Sequence, residues 1–113
     1  SKPDSDSRGV VKVFELGNSE WTQVGEDLIG DDDNDLLGFS LDLSRNGKRL
    51  AVGARGSPSD GTNKGSGYAK VFDWNATTAA WTQVGHKIFG NNDTDNSRVV
   101  ALSADGKKLV IGA

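Results

Sequence analysis

Leu41-Asp-Leu-Ser-Arg-Asn-Gly-Lys-Arg-Leu-Ala-Val-Gly-Ala54 returns in altered form as Val100-Ala-Leu-Ser-Ala-Asp-Gly-Lys-Lys-Leu-Val-Ile-Gly-Ala113. Seven of the 14 positions are identical, which establishes an internal repeat. In the first copy Leu41 and Leu43 alternate with Ser40, Asp42 and Ser44, and Leu50 and Val52 alternate with Arg49, Ala51 and Gly53. That is the period-2 pattern of strands with one buried face. Asn46-Gly47 and Asp105-Gly106 stand between the strands and accept positive φ cheaply, so each copy reads as a tight β-hairpin.

The repetition extends outward. Gly9-Val-Val-Lys-Val-Phe14 recurs as Gly67-Tyr-Ala-Lys-Val-Phe72, and Trp21-Thr-Gln-Val-Gly25 as Trp81-Thr-Gln-Val-Gly85. Strands are expected over 9–15, 20–28, 37–44 and 48–54 in a first repeat (9–54), and over 67–73, 80–88, 98–103 and 107–113 in a second (67–113). A polar terminus or loop (1–8) and a polar loop (55–66) complete the chain. Fifteen glycines against two prolines, with no sustained 3.6-residue stripe, favour an all-β fold.

Four short strands in a repeat of about 58 to 60 residues are the signature of a β-propeller blade. The period is too long for WD40 or kelch units. In blade terms the eight strands run C-D, A-B-C-D, A-B, giving two four-stranded blade equivalents. Such units need neighbours on both faces and are stable only in groups of about three or more. The chain is therefore expected to be part of a larger propeller, or to assemble with other copies of itself.

Composition excludes some classes. A net charge of −3 supplies no basic stripe, so nucleic acid is not expected as a partner. The absence of cysteine removes disulfides, thiolate metal sites and a cysteine nucleophile. No apolar run reaches the roughly 20 residues of a membrane-spanning helix, so membrane insertion is not expected.

The strand Gly-x-x-Lys-Val-Phe, the Trp-Thr-Gln-Val-Gly run, Asp35-Leu-Leu-Gly-Phe-Ser-Leu-Asp-Leu-Ser44 and Leu50-Ala-Val-Gly-Ala54 together resemble the FG-GAP-type repeat. That repeat builds integrin-α-head-like propellers in secreted and surface proteins. The resemblance runs from Gly9 onward and implies a ring of about seven blades, an extracellular or cell-surface location and an adhesive role. Leu37-Gly38 stands where the family has Phe-Gly, and short Asn46-Gly47 and Asp105-Gly106 turns stand where integrin-like repeats carry a calcium loop.

Asp31, Asp33 and Asp35 set carboxylates at every second position, a hard-oxygen arrangement suited to Ca²⁺. No other cofactor is expected. Leu36 and Asp42 stand where an EF-hand would need Gly and Glu. Asn75-Ala-Thr77 and Asn92-Asp-Thr94 fit the N-glycosylation pattern in expected loops, which points to a glycoprotein. Trp21 and Trp81 occupy matched positions and read as blade-to-blade packing. Trp74 matches Leu16 and reads instead as an exposed contact. The matched pairs Lys12 and Lys70, and Lys48 and Lys107, read as solvated faces.

The leading functional expectation is a non-enzymatic surface module that contacts a protein or glycan. The alternative is a structural unit of an extracellular filament, sheath or wall. A single histidine, His86, with no partner at fixed spacing argues against a propeller hydrolase or lyase.

Overall fold

The computed structural model describes residues 8–31, 35–55, 67–89 and 99–112. Over these the chain is all-β, with eleven strands and no α-helix. The chain is numbered β1 (Val10–Val11), β2 (Phe14–Leu16), β3 (Trp21–Gln23), β4 (Leu28–Ile29), β5 (Ser40–Leu43), β6 (Arg49–Ala54), β7 (Tyr68–Asn75), β8 (Ala80–Gln83), β9 (Ile88–Phe89), β10 (Val99–Leu102) and β11 (Leu109–Gly112).

The centre is an antiparallel sheet in the order β5-β6-β7-β8, with β9 also paired to β7. Alternation along β6 and β7 divides its residues between two faces. Leu50, Val52, Ala54, Tyr68 and Phe72 form one buried cluster with Trp81, Val11 and Leu37. Ala51 and Ala69 form a second with Val100, bordered by Val71, Leu102, Leu109 and Ile111. The hairpin built from β1 to β4 thus covers one face, and the hairpin β10–β11 covers the other. The resulting stack has three layers, with the most regular sheet in the middle.

The repeat read in the sequence is a repeat of register. Val10 pairs with Ile29 and Phe14 with Gln23 in the first copy; Tyr68 pairs with Phe89 and Phe72 with Gln83 in the second. In both copies the second strand carries two more residues than its partner between the paired segments, and the excess falls at Val24–Asp27 and Val84–Lys87. There Val24 N–H donates to Val13 O at 2.7 Å, and Val84 N–H to Val71 O at 2.8 Å. Gly25 and Gly85, the last residues of the Trp-Thr-Gln-Val-Gly runs, take φ of +79° and +71° in these bulges, a conformation glycine adopts without steric cost. The continuous strands expected at 20–28 and 80–88 are therefore each split in two. Their partners differ: 9–15 is split into β1 and β2, whereas β7 runs unbroken past the bulge. The segment expected to begin at 37 enters the ladder only at Ser40, because Leu37-Gly38-Phe39 forms a turn.

The hairpin turns also repeat, and they are longer than the dipeptide reading implied. Four residues separate the closing pair Ser44 and Arg49, and Ser44 N–H donates to Arg49 O at 2.8 Å. Gly47 alone takes positive φ, +76°, and Gly106 has the same value. Asn46 works through its side chain: Oδ1 accepts from Ser44 Oγ and from Lys48 N–H, both at 2.9 Å. Asp105 Oδ1 accepts in the same way from Ser103 Oγ at 2.7 Å and Lys107 N–H at 3.0 Å. These two contacts, with that of the Lys107 amide first, hold the Asp105 carboxyl below the usual carboxylate range.

Candidate functional site

Antiparallel pairing puts the turns 44–49 and 76–79 at one end of the central sheet, and Ala54, Tyr68 and Phe89 at the other. Polar clusters lie at both ends.

At the Tyr68 end, Asp31 joins two lysines of the following repeat. Its Oδ1 accepts from Lys70 Nζ at 2.8 Å and its Oδ2 from Lys87 Nζ at 2.7 Å. Burial alone raises the Asp31 pKa, but the two ammonium groups outweigh it and hold the carboxyl below its ordinary value. Lys87 Nζ also lies 4.5 Å from the Tyr68 ring centroid, a cation–π distance. Tyr68 is almost fully buried and donates its hydroxyl to Asp35 Oδ2 at 2.7 Å, while Asp31 N–H donates to the same hydroxyl at 3.3 Å. Burial first, and the bond to Asp35 second, push the Tyr68 pKa far up, so the ring stays neutral.

Of the carboxylates expected to bind Ca²⁺, Asp31 thus has both oxygens on ammonium groups, Asp35 is buried against Tyr68, and Asp33 lies outside the described residues. No group of three acidic or histidine side chains among the described residues is arranged to hold a metal ion. Lys70, expected on a solvated face, is buried. Its counterpart Lys12 is exposed and pairs with Asp27 at 3.1 Å. Because Asp27 is replaced by Lys87 at the matching place in the second copy, the anion there has to come from Asp31, one repeat earlier. The sequence held this signal as a charge reversal at matched positions.

At the turn end, Arg49 holds Asp73 through both Nε and Nη2, the latter at 2.8 Å from Oδ2. Its Nη1 donates to Gly106 O at 2.8 Å, tying the central sheet to the last hairpin. The Arg49 hydrogen bonds lower the Asp73 pKa. Ser40 Oγ and Asp42 Oδ2 accept the backbone N–H groups of Val100 and Leu102, at 2.9 and 2.5 Å, and fasten β10 beside β5.

Two clefts open beside Trp74. One of about 250 Å³ is bounded by Asn46, Arg49, Asp73, Asp105 and Lys107. The other, about 300 Å³, is bounded by Phe14, Glu15, Asn46, Lys48 and Trp81. Trp74, expected as an exposed contact, is half-buried: its ring meets Trp81 edge to face at 5.4 Å between centroids, and its remaining surface lines both clefts. Trp81 is the packing tryptophan of the matched pair, with Nε1–H donating to Val24 O at 3.0 Å. Trp21 is two-thirds exposed. Asn75, expected in a loop, is the exposed last residue of β7, and its Oδ1 caps the 76–79 turn by accepting from Thr77 and Thr78 N–H at 2.9 and 3.2 Å; Asn92 lies outside the described residues. His86 is exposed in the Gly85 bulge. Among the described residues, no helix is long and apolar enough to cross a membrane.

Comparison with protein-family models, with curated proteins and with solved structures finds no match to this chain.

Proposed function

We propose that this chain is the blade-forming part of an FG-GAP-like β-propeller, a non-enzymatic module of the cell surface or extracellular space that contacts a protein or glycan. One whole four-stranded meander between two half-size units of matching register is what a segment C-D, A-B-C-D, A-B of a propeller would form. Contact between β5 and β10 fits inner strands of successive blades, and contact of the first hairpin with Trp74 and Trp81 fits outer ones.

The observation that carries the recognition role is the pair of clefts sharing Trp74. An apolar ring face bordered by Asn46, Lys48, Asp73 and Glu15 offers stacking area together with donors and acceptors, a combination suited to a sugar ring or a polar peptide. Glycan and peptide arrays probed with the protein test this reading. Binding lost on Trp74→Ala supports it, and silence on both arrays overturns it. Electron microscopy tests the propeller itself, which requires rings with a central channel.

A second reading, a structural assembly unit, is favoured by a separate observation. Val10, Phe14, Leu16 and Trp21 form a large exposed apolar set on the first hairpin, the kind of surface that marks an interaction site.

A further inference from the structure

We infer that the smaller cleft beside Trp74 takes an acidic saccharide, a sugar ring carrying a carboxylate or sulfate, with Lys48 and Lys107 holding the anionic group. The inference rests on the cleft-binding reading above and narrows its ligand class.

Two hairpin turns come together to build this site. Lys48 and Lys107 are matched residues in the Ser-x-Asn/Asp-Gly-Lys turns of the two repeats. Arg45 N–H donates to Ala104 O at 3.0 Å and Arg49 Nη1 to Gly106 O at 2.8 Å, so the turns lie side by side. Both lysines thereby border one cleft of about 250 Å³, with Trp74 as its apolar wall. The Trp74 ring meets Trp81 edge to face, and Trp81 is itself fixed by its bond to Val24 O. A wall held in this way loses little freedom when a ligand stacks on it.

The balance of donors and acceptors points to the ligand. Most acceptors that border the cleft are already engaged. The two carboxylate oxygens of Asp73 receive Arg49 Nε and Nη2. Asn46 Oδ1 and Asp105 Oδ1 each accept from a serine hydroxyl and a lysine backbone N–H. The donors are in the opposite condition. Among the described residues, the Nζ groups of Lys48 and Lys107 have no hydrogen-bond or ion-pair partner, and Asn46 Nδ2 has none either. An ammonium group donates three bonds and accepts none.

Charge follows the same pattern. Arg49 cancels Asp73, which leaves Lys48 and Lys107 facing the single carboxylate of Asp105. A fitting ligand therefore brings negative charge and acceptors for the lysines, a flat face for Trp74 and a hydroxyl for Asp105 Oδ2. An acidic pyranose has all of these, and hydrogen bonds between ionised partners are the stronger kind. A neutral sugar forgoes both charged contacts. An acidic peptide offers the charge without the flat, hydroxyl-bearing ring. The neighbouring cleft differs, since Glu15 borders it and Lys107 does not.

A saccharide array with neutral, uronate-bearing and sulfated members, probed with the full chain, tests the inference. Digalacturonate and galactose 6-sulfate, each set against its uncharged counterpart, are the informative members. Acidic members should bind about tenfold more tightly than neutral ones or better, and Lys48→Gln with Lys107→Gln should abolish that preference. Lys108→Gln removes a like charge from the same turn outside the cleft and should leave affinity within about twofold. Whether uronate or sulfate binds identifies the source of the anion. Equal binding of acidic and neutral members overturns the inference, as does a preference that survives loss of both lysines. Hits confined to neutral sugars or to peptides, lost on Trp74→Ala, overturn it while the cleft-binding reading stands; silence on every array overturns both. The substituted lysines are exposed, so an unchanged melting temperature verifies that each variant is folded.

Discussion

The hairpins 10–29 and 68–89 share their pairing, their bulge and their Trp-Thr-Gln-Val-Gly run, yet their large side chains have opposite fates. Trp81 is 9% exposed and Trp21 66%; Phe72 is 8% exposed and Phe14 48%. The pairing register within the hairpin and the residue type are the same, so neither decides burial. What differs is the neighbour: the second hairpin has the first packed against it, and the first has nothing of the kind among the described residues. The contribution of a repeat unit is thus set at its interfaces, as expected for stacked repeats.

The comparison is broken most severely by truncating the matched tryptophans. Trp81→Ala should cost about 3–5 kcal/mol, combining lost core volume with the lost bond to Val24 O. Trp21→Ala should stay within about 0.5 kcal/mol in dilute solution. Urea unfolding of the two variants measures the difference, and equal costs would refute the account of neighbour-controlled burial.

Tyr68 occupies the place of Val10 and adds a hydroxyl buried between Asp31 and Asp35. Tyr68→Phe should cost about 1–3 kcal/mol, because buried polar groups lose a partner without gaining water. Val10→Phe, which changes an exposed site, should be near neutral by the same assay.

The bulge glycines sharpen the contrast. A Cβ on Gly25 would come within 2.9 Å of Trp81 Cδ1 and 3.0 Å of Trp74 Cζ3, whereas a Cβ on Gly85 meets nothing within 4 Å. Both positions carry positive φ, so the backbone strain of alanine is common to the two and only the overlap differs. Gly25→Ala should therefore cost about 1–3 kcal/mol more than Gly85→Ala.

Acid titration separates the copies more gently. The folded-state pKa of Asp31 is depressed, so its stabilisation is present above the unfolded value of about 3.9 and lost as pH falls through the lower folded value. Asp31→Asn should lower the melting temperature at neutral pH and flatten its decline below about pH 4. Asp27→Asn, at the more exposed counterpart pair, should change both less.

The smallest effect is expected at Ala79 and Ser19, which share φ of +56° and +73° in the two matched turns. Ala79→Gly should stabilise by up to about 1 kcal/mol by relieving a left-handed conformation that alanine tolerates poorly. Ser19→Gly should give less, since its turn belongs to the less covered hairpin.

Much of this fold was legible because identical short runs impose identical backbone. Ser-x-Asn/Asp-Gly-Lys gave the hairpin turn, and Trp-Thr-Gln-Val-Gly gave the strand that precedes each bulge. The bulge itself was not legible, since it is an excess of residues relative to a partner strand that only pairing reveals. The Asp31 cluster was hidden for a related reason: its lysines lie 39 and 56 residues away in the chain. Read locally, Asp31 looked like a cation ligand and Lys70 like a solvated charge, whereas these two groups pair with each other across the repeat boundary. The missing counterpart of Trp74 set it apart from Trp21 and Trp81 as an exposed contact, yet Trp21 is the most exposed of the three, and Trp74 is half-buried because Trp81 pairs with it across the strands.

The interruptions at Gly25 and Gly85 also bear on solubility. They cut the outermost strands into runs of two to four residues, β3 and β4 in one unit and β8 and β9 in the other. So short and kinked an edge is a poor template for runaway fibril growth. The protein thereby blunts the outer rims of both described repeats.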